Sequence, residues 1–337
     1  MCWGQSMTLR VISLFAGCGG ADLGVLGDFT FLRKKYQRHD TEIIHASDID
    51  PKAVATYNEN FSHSADIFDV RNLTMTGTPA ELLIGGFPCQ SFSTVNPTKN
   101  PSDSRGQLYL EMARLIGEAR PLVFIAENVM GFARLDGGRY LNYAISEFES
   151  RGYVVSHQIL NAADYGVPQL RKRLFMVGIR SDIQAVFRFP EPTHSGEGFR
   201  TRYVPLSRVI ESLEPPDPKY FFSERAVAGV KRAKNNMKRA LAQDLTKPCL
   251  TVTSHLAKVS LNSRDPVLLV DPRREVYRRF TPREAASIQS FPKSFRFRGS
   301  DADAYRQIGN AIPPVLMWHL TKAVIECLDG QLRRSAA

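Results

Sequence analysis

Cys89 stands in Gly85-Gly86-Phe87-Pro88-Cys89-Gln90-Ser91-Phe92-Ser93, directly after the apolar run Leu82-Leu83-Ile84. Such a run closed by glycines reads as a buried strand entering a turn. The placement suits a nucleophile: fixed backbone beneath the thiol, small residues that let a substrate approach, and a strand's carboxyl end. Taken alone, a Pro-Cys pair says little, because free cysteine is more often a small buried hydrophobe. Two further segments add to it. Glu127, in Glu127-Asn128-Val129, closes the run Val123 to Ala126 and should point into the same cleft as Cys89. Arg171 and Arg173, in Gln169-Leu170-Arg171-Lys172-Arg173, precede the run Leu174 to Val177. In extended chain the period of two puts both guanidinium groups on one face and turns Lys172 away. Guanidinium pairs suit a ring oxygen, a phosphate or the Glu127 carboxylate.

A fourth segment reads as a ligand loop. Leu9 to Phe15 runs into Ala16-Gly17-Cys18-Gly19-Gly20, a strand entering a glycine-rich turn that brings backbone N–H groups close to a ligand near a helix start. Nucleotide, flavin and S-adenosylmethionine folds share such turns, and the lack of Gly-Lys-Ser/Thr excludes a phosphate-cradling P-loop. The next strand ends at Asp48-Ile49-Asp50-Pro51. Asp50 reads as a helix N-cap with proline at the first helical position, which leaves Asp48 to accept hydrogen bonds from ribose hydroxyls. Cys18 reads as a packing residue.

In chain order, with the glycine loop first and then Cys89, Glu127 and the arginine pair, the four segments resemble the DNA cytosine-5 methyltransferases of the prokaryotic restriction-modification type. The resemblance runs from Val11 to Leu316. It takes in Pro190-Glu191-Pro192-Thr193-His194, Phe280-Thr281-Pro282-Arg283-Glu284-Ala285 and Gln307-Ile308-Gly309-Asn310-Ala311-Ile312-Pro313-Pro314. It implies an α/β fold: a doubly wound Rossmann-like S-adenosylmethionine-dependent methyltransferase domain with a smaller target-recognition domain. The implied activity is methyl transfer from S-adenosylmethionine to carbon 5 of a flipped-out cytosine in double-stranded DNA, protecting host DNA in a restriction-modification system. Carbon 5 is too weak a nucleophile unaided, and covalent attack at carbon 6 by Cys89 turns the ring into an enamine-like one. Glu127, kept partly protonated by burial, would donate to ring nitrogen 3. Arg173 would meet the base carbonyl, with Arg171 stabilising the site and Gln90 beside the nucleophile. Because the attacked atoms are stacked in a duplex, the base must leave the helix.

The same resemblance implies that Phe15, Ala16, Gly17 and Gly19 line the methionine part of the cofactor, with Asp48 on ribose and Ile49 on the adenine face. Asp66 and Ile67 would flank the adenine edge, Pro88 and Leu108 would close the pocket, and Asn310 would return to it from the C-terminal side. The long, polar, proline-interrupted segment from Thr94 to Gln107 reads as a mobile lid. Ser93 and Arg105 are candidate phosphate contacts. Lys247-Pro248-Cys249-Leu250-Thr251-Val252-Thr253 is similar to the core of the family's recognition domain, which makes Thr251 a candidate DNA contact. Two rivals remain. One is the RNA-directed (tRNA) branch of the family, whose Cys-Phe-Thr element this chain lacks. The other is a non-catalytic DNA-binding regulator, which would have lost the nucleophile or the acid.

Positioning these groups requires a sheet covered by helices. Apolar runs at Leu9 to Phe15, Ile43 to Ala46, Leu82 to Ile84, Val123 to Ala126 and Leu174 to Val177 predict parallel strands, with helical spacing at Lys52 to Asn60 and Leu108 to Ala119. Proline and glycine cluster from Pro190 to Pro218 and mark the exit from the first domain. We therefore expect a catalytic domain over 1–188 plus 305–337 and a recognition domain with hinge over 189–304, its variable core at 217–271. Thr281, Pro282 and Glu284 predict a capped helix start. Val315, Leu316, Leu320, Val324 and Leu328 share one face of a final helix that should pack onto the first domain.

Composition agrees with this reading. The 337 residues carry 43% hydrophobic and 23% charged side chains and a net charge of +10, which favours a polyanionic partner. Lys231, Arg232, Lys234, Lys238 and Arg239 cluster without an acid among them, as a DNA contact or a solvated helix face. Five scattered cysteines without C-x-x-C spacing argue against disulfides and zinc, and the scattered histidines give no metal assignment. No run approaches a membrane span and no signal-peptide pattern opens the chain, so a cytoplasmic, nucleoid-associated protein is expected. It is expected to act as a monomer, with a companion endonuclease not physically required.

Overall fold

The computed structural model describes residues 8–88, 108–198, 200–212, 217–233, 242–258 and 266–335. Seven strands form the central sheet: β1 (Leu9–Leu14), β2 (Thr41–Asp48), β3 (Asp66–Ile67), β4 (Leu82–Gly86), β5 (Val123–Val129), β6 (Tyr153–Asn161) and β7 (Lys172–Arg180). Their spatial order is β3-β2-β1-β4-β5-β7-β6. The first five lie parallel, while β7 pairs antiparallel with both β5 and β6. The expectation of an all-parallel sheet is thus corrected at Leu174 to Val177. The apolar run gave a strand there, but periodicity carries no direction, and β7 inserts between β5 and β6 against both.

Alternation along each strand builds two cores. Val11, Leu82, Ile84, Val123, Ile125, Phe175 and Val177 face one apolar cluster, and Ile12, Leu14, Leu83, Phe124, Ala126, Leu174 and Met176 face the other. A run apolar at every position is what a strand buried on both faces requires. Helices α1 (Gly20–Leu26) and α2 (Pro51–Asn60) cover the first face, and α3 (Leu108–Ala119) and α4 (Arg139–Ser150) the second. Asp50 caps α2, its side chain accepting from the Lys52 N–H, with Pro51 at the first helical position.

Further along are α5 (Glu224–Ala233), α6 (Pro282–Ile288), α7 (Asp301–Asn310) and α8 (Pro314–Ser335). The capping box at α6 has both bonds, Glu284 N–H to Thr281 Oγ1 at 3.1 Å and Thr281 N–H to Glu284 Oε2 at 2.9 Å. The Glu284 carboxylate also holds the fully buried Arg278 in a bidentate pair at 2.7 and 2.8 Å. On α8, Val315, Leu316, Leu320, Val324 and Leu328 are buried as the spacing requires. The helix lies so close to α1 that a Cβ at Gly24 would stand 2.5 Å from the Pro314 carbonyl oxygen. Between β7 and α6 the strands are short, with Cys249–Leu250 pairing in parallel with Gln169–Leu170. Buried Leu206, Val209, Cys249, Val252 and Leu256 join the same apolar cluster as α8.

Candidate active site

Glu127 stands near the carboxyl end of β5, beside the end of β4 from which the chain runs on toward Cys89. β4 ends in Gly86, paired in register with Glu127 of β5. Phe87 then turns into the second core against Phe132, and its carbonyl accepts a hydrogen bond from Asn128 Nδ2 at 3.0 Å. A buried amide thus clamps the backbone two residues before Cys89, with only Pro88 between. Sequence reasoning gave Asn128 no task, and its place directly after Glu127 was the only signal. Cys89, Gln90, Ser93 and Arg105, and the expected lid from Thr94 to Gln107, lie outside the described residues.

The Glu127 side chain is only 12% exposed, and its Oε1 lies 3.1 Å from Arg173 Nε. Burial pushes the Glu127 carboxyl up, and the charges of Arg173 and Arg171 pull it back. The net shift is upward, as desolvation of a carboxylate gives when it outweighs the nearby positive charge. Arg173 has its own pKa lowered by burial, against the attraction of Glu127, and its Nη1 donates to the Lys172 carbonyl at 2.9 Å.

Arg171 departs from the simple alternation expected for extended chain. Its N–H donates to the Gln169 carbonyl two residues back at 3.0 Å, so the chain kinks between Leu170 and β7 and the period of two is broken. The guanidinium, 1% exposed, donates to the carbonyls of Val252 at 3.0 Å, Gly309 at 2.9 Å and Ala311 at 3.1 Å. It bears on Glu127 through its charge.

The ligand loop sits at the neighbouring strand ends. Phe15 has a φ of 53°, a left-handed conformation that costs a non-glycine residue about 1–3 kcal/mol and collects at functional sites. Gly17 follows at φ 56°, and a Cβ there would meet nothing within 4 Å, so the loop faces open space at that point. Gly19 differs. A Cβ there would stand 2.3 Å from the Phe61 ring. Cys18 is buried, its thiol pushed up to about 12, as a packing residue's would be. Asp48 was expected to be free for ribose. Instead Oδ2 accepts from the Gly17 N–H at 2.8 Å and Oδ1 from the Asp50 N–H at 2.8 Å. Each carboxylate oxygen has a second lone pair, so the brace leaves acceptor capacity toward a ligand.

Ile49 and Ile67 remain 64% and 59% exposed beside Asp48. Phe68, whose N–H donates to the Asp48 carbonyl at 3.0 Å, adds a third exposed apolar side chain that sequence reasoning missed. Large apolar groups left in solvent around an open glycine loop are what a planar apolar ligand would cover. Asp66 pairs with Ser47 in the same sheet edge. Leu108 opens α3 and packs on the second core. Asn310 ends α7, and the chain following it closes on the loop: a Cβ at Gly20 would stand 2.6 Å from the Ile312 carbonyl oxygen. Thr251 spends its hydroxyl on the Leu170 carbonyl at 2.8 Å. Lys231 and Arg232 fall in α5, but their side chains lie outside those described.

Residues 9–326 match the family model described as C-5 cytosine-specific DNA methylase. The Type II methyltransferase M.BsuRI of Bacillus subtilis is 33% identical over 349 residues, covering 91% of this chain and 77% of that protein. M.NlaX of Neisseria lactamica is 32% identical over 308 residues, covering 90% and 92%. Among solved structures, a putative DNA modification methyltransferase encoded within a prophage (E. coli) superposes with a TM-score of 0.69 at 25% identity, covering 95% of this chain and 99% of that one. The S. pombe Dnmt2 methyltransferase shares the fold, with a TM-score of 0.70 at 19% identity over 95% and 99% of the two chains.

Proposed function

Because the chain belongs to the C-5 cytosine-specific DNA methylase family, and so methylates cytosine in DNA, we propose that Cys89 is its nucleophile and Glu127 its acid. The observation that carries this reading is the Glu127–Arg173 pair at the end of β5, one strand from the backbone leading into Cys89. Attack by the thiolate on carbon 6 places charge on the ring, and a proton held on Glu127 meets it at nitrogen 3. Arg173 then faces the base carbonyl. Asn128 holds the Phe87 carbonyl and with it the entry to Pro88 and Cys89.

The family uses S-adenosylmethionine, which supplies an electrophilic methyl group. The open face of Gly17, the braced Asp48 and the exposed Ile49, Ile67 and Phe68 fit a nucleoside with an amino-acid tail. Phe15, Ala16, Gly17 and Gly19 would hold the methionine end. Asp48 would take the ribose, and Ile49, Asp66 and Ile67 the adenine. Pro88, Leu108 and Asn310 would border the pocket.

Residues 217–271 are proposed to choose the DNA sequence within a recognition unit spanning 189–304, with a catalytic unit over 1–188 and 305–337. We assign the enzyme to a restriction-modification setting, since Type II methyltransferases are its relatives, and to a monomer acting on duplex DNA in the cytoplasm without metal. No helix among the described residues is long and apolar enough to cross a membrane.

Duplex DNA with 5-fluorocytosine in the target, incubated with S-adenosylmethionine, should trap the protein covalently. Bisulfite sequencing of DNA exposed to the enzyme should reveal one methylated motif. Trapping that survives Cys89→Ser would remove Cys89 as the nucleophile, and methylation of tRNA in preference to duplex DNA would favour the RNA-directed branch.

A further inference from the structure

Arg171 sits where three remote parts of the chain meet. Its guanidinium donates to Val252 on one side and to Gly309 and Ala311 at the end of α7 on the other. These bonds belong to a larger strap that binds residues 249–254 to residues 169–171. Cys249 and Leu250 pair with Gln169 and Leu170, Thr251 Oγ1 donates to the Leu170 carbonyl, and the Val252 N–H donates to Gln169 Oε1 at 2.8 Å. The Gln169 amide in turn donates to Gln289 Oε1 at 2.7 Å, and the Gln289 amide donates to the Ile308 and Ala311 carbonyls. The crossing is tight. A Cβ at Gly309 would stand 2.2 Å from the backbone of Thr253 and Ser254.

All of this is buried, with Gln169, Gln289 and Arg171 essentially without exposure. Buried polar groups of this kind are rigid while satisfied and costly to disturb, because each missing partner leaves a desolvated group behind. Any displacement of residues 249–254 therefore moves the Arg171 guanidinium, whose charge bears on Glu127, together with the backbone around Asn310. Arg171 touches neither solvent nor an open site, so it is poorly placed to contact DNA.

We propose that Arg171 is a positioning residue that couples the seating of residues 249–254 to the Glu127–Arg173 pair, so that chemistry proceeds at full rate only on a correctly docked sequence. The coupling rests on the reading of residues 217–271 as the sequence-choosing segment. Its energy comes from the fork of the guanidinium, which bonds carbonyls on both sides at once. Lysine offers one ammonium in place of the fork and cannot bridge them all.

The test uses single-turnover methylation of two duplexes, one with the motif that bisulfite sequencing assigns to the parent and one differing by a single base pair. Duplex affinity and Tm are measured on the same proteins. Arg171→Lys should lower the rate on the matched duplex by about 10²-fold, with affinity changed by less than about threefold and the mismatched rate nearly preserved. Thr251→Ala loosens the strap without touching Arg171, should act in the same direction by about tenfold, and carries the test if the lysine variant does not fold. Equal fractional losses on both duplexes would overturn the coupling, as would a loss of affinity equal to the loss of rate. The premise is checked separately by exchanging residues 217–248 and 255–271 for those of a relative, leaving the strap in place. An unchanged motif after that exchange sinks the segment reading and the coupling with it; a changed motif with equal losses sinks the coupling alone.

Discussion

Gly86 and Glu127 are opposite each other in the register of β4 and β5, and a Cβ at Gly86 would stand 3.1 Å from Glu127 Oε2. The carboxylate occupies the space that a side chain on β4 would take. That approach is tighter than ordinary packing, so Gly86→Ala should push Glu127 a few tenths of an ångström off Arg173. Misplaced reacting groups lose rate before they lose binding, and we expect kcat to fall about tenfold with duplex affinity little changed. Rapid-quench measurement of the methyl-transfer step decides it, and a parent-like rate would mean that Glu127 does not act from this position.

Removing Arg173 should move a pH limb as well as slow the reaction. Burial raises Glu127, and Arg173 is the larger of the two charges that lower it. A group that works as an acid loses activity as pH rises through its pKa. In Arg173→Gln the opposing charge is gone, the Glu127 pKa rises further, and the alkaline limb of kcat should shift to higher pH. The maximum should drop by about 10²-fold, as for a missing charge-stabilising group. Glu127→Gln should abolish the limb. A limb that stays put in Arg173→Gln would belong to some other group.

The local parts of this site were readable from the chain, and the non-local ones were not. The α6 capping box and the Asp50 cap of α2 involve residues within three positions, so their types and spacing suffice. Runs such as Leu82 to Ile84 announced β4 because both faces are buried. β6 escaped notice because it is an edge strand whose middle is exposed or half-exposed, and its apolar Tyr153-Val154-Val155 and Ile159-Leu160 are split by Ser156-His157-Gln158. The partners of Arg171 lie 81, 138 and 140 residues away. Nothing in Gln169-Leu170-Arg171 announces them, nor the kink that turns Arg171 from Arg173. The brace that Asp48 gives Gly17 was not legible either, since the two lie 31 residues apart.

Two buried histidines, His39 and His319 of α8, should make the fold sensitive to acid. His39 stacks on Trp318 at 5.1 Å, and His319 lies against Tyr165 and Tyr36. Burial, aided by nearby cations such as Lys34 and Lys322, lowers His319 to about 4. Burial lowers His39 to about 4 too, against its hydrogen bond with the Trp318 carbonyl. The unfolded chain takes up protons at both below about pH 6.5, where the folded one does not. Their contribution is therefore intact above pH 6.5 and drains away as pH falls toward 4. His319 Nε2 has no hydrogen-bond partner among the described residues, so His319→Phe forfeits no bond there. Its Tm should decline less steeply than the parent's between pH 7 and 4.5. Parallel curves would show that His319 is not a source of the acid sensitivity.

Lys231, Arg232, Lys234, Lys238 and Arg239 form a basic run without an intervening acid, in a chain of net charge +10. The run begins in α5, which lies in the segment proposed to choose the sequence. Phosphate contacts carry no base information, since every step of the duplex presents the same charge. Replacing all five with neutral residues should therefore weaken binding to matched and mismatched duplexes by the same factor. For every phosphate that no longer meets a cation, the slope of log affinity against log salt should fall by about one unit, because fewer counterions are released on binding. The motif found by bisulfite sequencing should stay the same, since base readout depends on other side chains. Equilibrium binding across a salt series, with both duplexes in parallel, separates the outcomes. A slope equal to the parent's would make the run a solvated helix face, and a changed motif would make it part of the base readout.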